Sequence, residues 1–434
     1  MNFRKLLIFP LLILAVVAVA ADAGGRKKPK KKKKKKNPRT EKVASFQTRT
    51  LPEALPKETY RYSGDADPFA PRRSPWTDSV MSSLSPRERI GQLFMVAAYS
   101  NRDEKHYRQI DSLVAVYGIG GLIFMQGGPV RQANLTNRWQ SIARVPLMLS
   151  MDAEWGLAMR LDSVSRFPKQ MTLGALPSDT LVYQMGREIA LQCQRIGMQV
   201  NFAPVADVNN NPANPVINMR SFGEGKELVT RRAIAYMRGM QDQHVLATGK
   251  HFPGHGDTDA DSHHALPVIR GDRDRLDSLE LYPFRKLFEA GLGSVMVAHL
   301  YVPALDTAAN VATTLSPKVV TGLLRNELNY KGLVFTDALN MKGVAGYYMP
   351  GAVDVKALLA GNDMLLFSED VPTAMNLIDS ALVKGEITQA EIDVHCRKIL
   401  QAKEWSGLNR LTKVSLNNLV SDLNPSSSEV LIRQ

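Results

Sequence analysis

Eight short, almost uninterrupted apolar runs recur along this chain with helical stretches between them, and that alternation restricts the fold more than any other feature. The runs cover residues 92–97, 121–125, 147–151, 199–204, 246–250, 294–299, 333–336 and 363–367. A strand that is apolar at every position, rather than at alternate ones, is buried on both faces, as strands of a parallel sheet are. Amphipathic stretches at 181–197 and 226–242 supply crossovers between them. Eight such strands over roughly 280 residues match the length of an α/β (β/α)8 barrel, the TIM barrel. The alternative is an open, doubly wound sheet. No Gly-x-Gly-x-x-Gly follows the first run, so a dinucleotide-binding version of that sheet is unsupported.

The barrel reading makes a test of the polar residues, because chemistry in such folds sits at the C-terminal ends of the strands. Asp152 and Glu154 follow the third run, and Asp207 with several Asn follows the fourth. Lys250 and His251 end the fifth, His299 the sixth and Asp337 the seventh. Randomly placed polar residues would not collect at one end of successive strands. His299 is read either as a residue that positions Asp337 or as a hydrogen-bonded structural histidine. His244 and His395 are expected on the surface or on helices, and most Met residues as core filling.

The chain carries a formal charge of +13, which resembles a nucleic-acid signal until its location is considered. Residues 1–42 hold fourteen of the 55 Lys and Arg and only two of the 42 acids, so the rest of the chain is near neutral. A folded unit of neutral balance does not read as a nucleic-acid binder. Arg4 and Lys5 precede an apolar run at 6–20, and Ala18-Val19-Ala20 and Ala21-Asp22-Ala23 both fit a signal-peptidase site. Residues 1–23 are therefore expected to be a secretory signal, too short for a comfortable membrane span. No Cys follows it for lipid attachment. The consecutive lysines from Lys30 to Lys36 form a solvated tail or a weak attachment to an anionic surface. Residues 24–78 read as a basic segment and linker, with the Pro- and charge-rich part from 41 onward lying along the barrel. Cys193 and Cys396, the two cysteines, read as buried free thiols.

The catalytic unit is expected over 79–408. Ser85, with Pro86 and Glu88 behind it, has the form of a helix start. Helices are expected from Val371 to about Trp405, and an irregular stretch over 406–424. Ser426 to Glu429 reads as a capping box that opens a last helix. So short a helix is unstable alone. Residues 409–434 are therefore expected either to pack on the barrel or to begin a further domain.

The densest polar segment runs from Lys250 through His264. A zinc site on His251 and His255 would need a helix, which Pro253, Gly254 and Gly256 oppose. A calcium loop starting at Asp257 would need Gly at its sixth position and Glu at its twelfth, where Ser262 and Val268 stand. No metal and no cofactor are expected. The segment reads better as a Gly-hinged loop carrying a His–Asp dyad, or as a polar surface loop. Asp261 and His263 can hydrogen-bond across Ser262, which fixes the imidazole tautomer and raises its basicity. Such a group suits protonation of a glycosidic oxygen. Asp337 closes its strand either as a nucleophile for an anomeric carbon or as the cap of the next helix.

These motifs bear a resemblance to a known family. The segment from Lys250 to His263, with Pro267, is similar to the Lys-His-Phe-Pro-Gly-His-Gly…Asp-Ser-His…Pro signature of bacterial family 3 β-N-acetylglucosaminidases. Asp337 stands in a segment similar to that family's nucleophile segment. Arg220-Ser221-Phe222-Gly223 resembles its sugar-binding Arg-Ser-Phe-Gly, and Ala360-Gly361-Asn362-Asp363-Met364-Leu365 its strand-eight motif. The resemblance runs from about Ser85 to Leu408. It implies a retaining β-N-acetylhexosaminidase with Asp337 as nucleophile and His263, paired with Asp261, as general acid/base. It implies that Asp152, Arg160, Arg220, Lys250 and His251 bind the N-acetylglucosamine ring. The substrate would be an N-acetylglucosamine-containing oligosaccharide, handled outside the cytoplasm, in the periplasm or cell envelope. The rivals are a β-glucosidase or xylosidase of the same family, which the Asp261-Ser262-His263 loop opposes, and an inactive wall-sugar-binding barrel. A weaker option is a protein tethered to a surface by its lysine tail. The family's Glu-Gly-Gly-Arg is here Glu154-Trp155-Gly156-Leu157. An Arg is missing at Leu157, and Trp155 stands ready either to stack on a sugar or to pack against the barrel.

Overall fold

The computed structural model describes residues 68, 69, 74–258 and 266–434. The expected signal peptide, the lysine run, most of the linker, and Asp261 and His263 lie outside the described residues.

A strand overlaps each expected run, with β1 and β5 reaching one and two residues past theirs: β1 Phe94–Ala98, β2 Gly121–Phe124, β3 Met148–Met151, β4 Val200–Asn201, β5 Leu246–Phe252, β6 Ser294–Val297, β7 Leu333–Thr336 and β8 Leu365–Leu366. The strands pair in parallel in the order β7-β6-β5-β4-β3-β2-β1-β8. A bridge between Phe335 and Met364 joins the two ends, and the Thr336 N–H donates to the Met364 carbonyl at 3.0 Å. The sheet is thus a closed eight-stranded barrel, which leaves no exposed strand edge. Rings fill its interior: Phe202, just beyond β4, meets Phe335 of β7 edge-on at 5.1 Å, although those strands are not neighbours.

β4 and β8 are shorter than their apolar runs, for local reasons. Pro204 has no N–H to give a ladder, and pairing resumes only as a bridge between Val205 and Lys250. Phe367 has φ 60°, so the chain turns out of β8 at once. The crossover helices Asp179–Arg195 and Lys226–Gln241 pack on each other with their apolar faces buried.

Two readings need correction. The helix Pro75–Ser83 begins inside the stretch assigned to the linker. Its Thr77 and Met81 are buried, and Thr77 Oγ1 donates to the Glu404 carboxylate at 2.9 Å, which fixes this helix to the helix Gln389–Trp405. The last helix, Ser426–Arg433, does form, but its N-cap is Pro425 and no side chain caps it. Ser426 is already inside the helix, and the extended residue before it is Pro425, at φ −67° and ψ 151°, which has no side-chain oxygen to cap with. The capping box at Ser85 is present in full, with Ser85 and Glu88 bonding each other's backbone N–H.

Residues 409–434 lie against the barrel. Leu419 and Leu423 are buried, Gln192 Nε2 donates to the Leu423 carbonyl at 3.0 Å, and Arg195 Nε donates to Asp422 at 2.8 Å. Both cysteines are buried free thiols. No described helix is long and apolar enough to cross a membrane.

Candidate active site

The C-terminal ends of the strands surround a cavity of about 590 Å³, within the range that holds a small ligand with polar groups. Asp152, Arg160, Arg220, Lys250, His251 and Asp337 all line it. The structure therefore brings together six residues that come from four different strand ends.

Asp152, just past β3, takes Lys250 Nζ on one oxygen at 2.9 Å and Arg160 Nη2 on the other at 2.6 Å. Burial pushes this carboxyl up, but Lys250 and Arg160 outweigh it and hold the group well below its ordinary range. Glu154, two residues on, is wholly buried. It takes Lys250 Nζ at 2.8 Å and Arg220 Nη2 at 2.7 Å. Arg220 sits in the short turn Asn218–Arg220 after β4. Each carboxylate is thus ionised and each cation fixed, so burial without this pairing would be costly. The result is a rigid array of charged donors and acceptors, the kind of surface that fixes several hydroxyls at once.

Asp207, after β4, organises the end of β5. Its carboxylate accepts from the His255 N–H at 2.7 Å and from the His251 N–H at 3.2 Å. His251 Nδ1 lies 2.7 Å from the same carboxylate, and Arg220 Nη2 lies 3.2 Å from His251 Nε2. A guanidinium can only donate. Nε2 is therefore the acceptor, and Nδ1 carries the proton towards Asp207. His255 also lines the cavity. Burial, with His251 beside it, pushes its imidazole down to about 4, so it is neutral at physiological pH. Asn214 Nδ2 donates to the His255 and Gly256 carbonyls at 2.8 and 3.0 Å, which fastens the segment as far as Thr258.

Asp337 follows β7, with its N–H on the Val297 carbonyl at 2.9 Å and one carboxylate oxygen taking the Ala338 N–H at 2.8 Å. Burial raises this carboxyl, and His299, His251, the Ala338 N–H and Lys250 together pull it below its ordinary value. It is an ionised carboxylate with no ion-pair partner among the described residues. His299 is buried, and its Nε2 donates to the Ala338 carbonyl at 3.0 Å. That contact holds the residue next to Asp337, and Nδ1 lies 2.8 Å from Thr314 Oγ1, so the geometry fits the structural alternative as well as the positioning one.

Trp155 is outside the cavity lining. It packs on the core with Lys169 Nζ 5.3 Å and Arg166 5.7 Å from its ring centroid. Cations occupy its surroundings, so of the two alternatives the structure has packing. Leu157 is fully buried. Gly156 turns the chain there at φ 85°, and a Cβ on it would lie 2.8 Å from the Phe167 ring, so the backbone closes on Phe167 as only glycine allows.

Asp207, Glu154 and His255 had no assigned role in the sequence reading. Their only signal was position: the first two are acids just past strand ends, and the third repeats the strand-five histidine four residues on. His395 lies on a helix and its Nδ1 bonds Asp363 at 2.7 Å, and His244 is exposed. Among the described residues, no three His, Cys, Asp or Glu group as metal ligands.

A closed parallel barrel with a buried, fully paired ionic array and one unpaired carboxylate at its C-terminal mouth is a (β/α)8-barrel protein with its ligand cavity where barrel enzymes have theirs. Its sequence places it further: residues 85–402 match the glycosyl hydrolase family 3 N terminal domain, and the chain belongs to that family. It is 34% identical over 330 residues to Beta-hexosaminidase A of Pseudoalteromonas piscicida, covering 70% of this chain. The match takes in 54% of that relative, so the chain spans about half its length. It is 30% identical over 356 residues to Beta-hexosaminidase LpqI of Mycobacterium tuberculosis, covering 78% of this chain and 87% of that protein. A family 3 β-N-acetylglucosaminidase structure from a Paenibacillus species superposes with a TM-score of 0.72 at 36% identity, over 78% of this chain and 68% of that one.

Proposed function

We propose that the chain is a retaining β-N-acetylhexosaminidase that removes terminal, non-reducing β-linked N-acetylglucosamine from oligosaccharides. The observation that carries this is the convergence of Asp337 with the Asp152–Arg160–Lys250–Glu154–Arg220 array in one cavity. The array holds the sugar ring through its hydroxyls, with His251 held in one tautomer by Asp207. Asp337 attacks the anomeric carbon while His263, oriented by Asp261, protonates the departing oxygen. The glycosyl–Asp337 ester then breaks as His263, now neutral, takes a proton from water, and the product leaves with retained configuration. A neutral base does not repel anions, so phosphate is a competent alternative acceptor to water.

The first residues fit export to the periplasm or cell envelope, where wall-derived oligosaccharides are the available substrates. The relatives named as hexosaminidases and the Asp-Ser-His segment favour this over a β-glucosidase.

The test is hydrolysis of 4-nitrophenyl N-acetyl-β-glucosaminide by the purified chain, beside the glucoside and xyloside. Asp337→Ala should abolish turnover. His263→Ala should slow poor leaving groups by about 10²- to 10⁴-fold, the usual worth of a general acid, and activated ones much less. Sugar phosphate in phosphate buffer would establish the second acceptor. Equal loss on all leaving groups in His263→Ala would remove the acid role, and binding of N-acetylglucosamine oligomers without turnover would favour a binding barrel.

A further inference from the structure

The ladder of the barrel has a gap where β8 ends. Along β1 and its flanks the backbone groups alternate between two neighbours. Odd-numbered residues face β8: the Leu93 carbonyl takes the Leu365 N–H at 2.8 Å, and the Met95 carbonyl takes the Phe367 N–H at 2.9 Å. Even-numbered residues face β2: the Ala98 carbonyl takes the Met125 N–H at 2.9 Å, and the Ser100 N–H reaches the Gln126 carbonyl at 3.2 Å. The Tyr99 N–H therefore points towards β8. That strand has already turned away, at Phe367 with φ 60°. Tyr99 and Phe367 both line the cavity, so the gap lies in its wall.

A side chain fills it. His106 Nε2 takes the Tyr99 N–H at 3.1 Å. The sequence arranges this locally. Asp103 caps the helix Glu104–Ala115, its carboxylate accepting the His106 N–H at 3.1 Å. His106 thus stands in the first turn, and side chains on a helix lean towards its N-terminus, here back over the segment that starts at Tyr99. The imidazole sits edge-on to the Tyr99 ring at 5.6 Å and to the Tyr107 ring at 5.9 Å. A ring nitrogen that accepts carries no proton, so the proton of the neutral ring is on Nδ1.

An imidazolium has no acceptor nitrogen, and the contact exists only while His106 is neutral. Its surroundings favour that form. Partial burial and the Arg102 guanidinium push the imidazole below its ordinary value, against the smaller opposing pull of Asp103. Arg102 itself stands 4.7 Å from the centroid of the Tyr99 ring. The neighbouring helix Pro129–Ile142 brings no uncommitted charge: its Arg131 is engaged by Asp162, and its Arg138 by Glu104 and Asp111.

We propose that His106 is a positioning residue for the active site, replacing the β8 partner that Tyr99 lacks and keeping this stretch of cavity wall in the shape that binds substrate. It touches no reacting atom. The inference rests on the hexosaminidase reading above and adds a residue which that reading does not use. Protonating His106 leaves the Tyr99 N–H without its acceptor and sets a second cation beside Arg102. The wall then relaxes and binding weakens, while the chemistry at Asp337 is left in place.

The experiment compares His106→Gln and His106→Leu with the unaltered chain on 4-nitrophenyl N-acetyl-β-glucosaminide, from about pH 5 to about pH 8, the range in which a histidine changes charge. A glutamine Oε1 accepts an N–H throughout that range, as Gln140 Oε1 does from the Leu147 N–H at 2.9 Å. Leucine accepts none. His106→Leu should raise KM by about three- to tenfold at neutral pH, the fold-change of one typical hydrogen bond, with kcat nearly kept, and His106→Gln should restore it. Below about pH 6.5, the ordinary histidine value, the KM of the unaltered chain should climb towards that of His106→Leu, while that of His106→Gln stays lower. Asp337 and the other site groups titrate in all three chains, so the ratio of KM between chains at each pH removes their contribution.

Equal KM in all three chains, or a ratio of His106→Gln to the unaltered chain that does not change with pH, overturns the proposal. If His106→Leu does not fold, that second ratio decides by itself. Long-range 1H–15N spectra of the histidine rings test the contact without turnover, the His106 signal being the one lost in His106→Gln. A proton on Nδ1 is expected at neutral pH, and a proton on Nε2 overturns the proposal. No turnover by the unaltered chain at any pH removes the hexosaminidase reading. The ring spectra, with the affinity of the same three chains for N-acetylglucosamine across the same pH range, then decide the positioning role separately.

Discussion

Asp207 has its side chain wholly out of solvent, yet three donors from His251 and His255 depend on it. An amide in its place offers one acceptor oxygen where the carboxylate has two, and it turns its own N–H towards donors. Asp207→Asn should therefore displace His251 within the cavity. We expect kcat/KM to fall on the order of a hundredfold, the cost of roughly an ångström of misplacement, with the fold kept and its melting temperature lowered by a few degrees for the donor left short. Full activity in that variant would remove the positioning role. The residue was visible in the sequence as an acid past a strand end, and its role was not. Its partners lie 44 and 48 positions along the chain, and only barrel closure sets the contact. Glu154 was opaque for the same reason, since Arg220 is 66 positions away.

At the opposite end of the barrel, Lys403 is fully buried with Gln92 Oε1 at 2.7 Å. Burial pushes its ammonium down to about 7. An unfolded lysine titrates near 10.4. Below pH 7 both states hold the proton, and the folded state bears the whole cost of burying it. Between 7 and about 10 the unfolded chain binds more protons, so stability rises with pH. Lys403→Met should consequently raise the melting temperature more at pH 6 than at pH 9. An equal shift at both values would show that the buried amine does not titrate in that window.

At the scale of elements, the barrel was legible because parallel strands buried on both faces leave an unmistakable apolar mark. The lengths of β4 and β8 were not legible, since Pro204 and the turn at Phe367 act on ladders that the sequence does not display. The strand-eight motif shows a similar division. Its resemblance to a family segment was clear, but the structure gives its polar residues to packing. Asp363 takes Arg325 at 2.5 Å, His395 at 2.7 Å and the Val334 N–H at 2.8 Å. It thereby ties β7 to the helix Gln389–Trp405 and to the helical segment Lys318–Glu327. The adjacent Asn362 Nδ2 donates to the Thr314 carbonyl at 2.9 Å. Asp363→Asn leaves Arg325 half-satisfied in a buried site. It should cost about 3–5 kcal/mol in denaturant unfolding, as other broken buried pairs do. A loss under about 1 kcal/mol would mean that water replaces the carboxylate.

At the scale of the molecule, residues 409–434 decide how the barrel is sealed on one flank. The sequence left two possibilities for them, docking or the start of something separate, because a short helix carries no sign of what it packs on. In the structure Leu419 and Leu423 are buried. Arg195 holds the Ser415 and Asn417 carbonyls at 2.8 and 2.7 Å as well as Asp422. Ser165 N–H donates to Asn424 Oδ1 at 2.7 Å, from the loop that follows β3. Two buried leucines contribute about 3–6 kcal/mol at the usual value per side chain, and ordering some two dozen residues offsets part of that. Removing residues 409–434 should thus lower the melting temperature by several degrees and uncover the helix Asp179–Arg195. Because the segment also holds the loop bearing Ser163 and Ser165, the same deletion should raise KM for 4-nitrophenyl N-acetyl-β-glucosaminide through Arg160 more than it lowers kcat. A truncated chain with unchanged melting temperature and KM would mean that the segment merely rests on the barrel and that the sugar array is held from within.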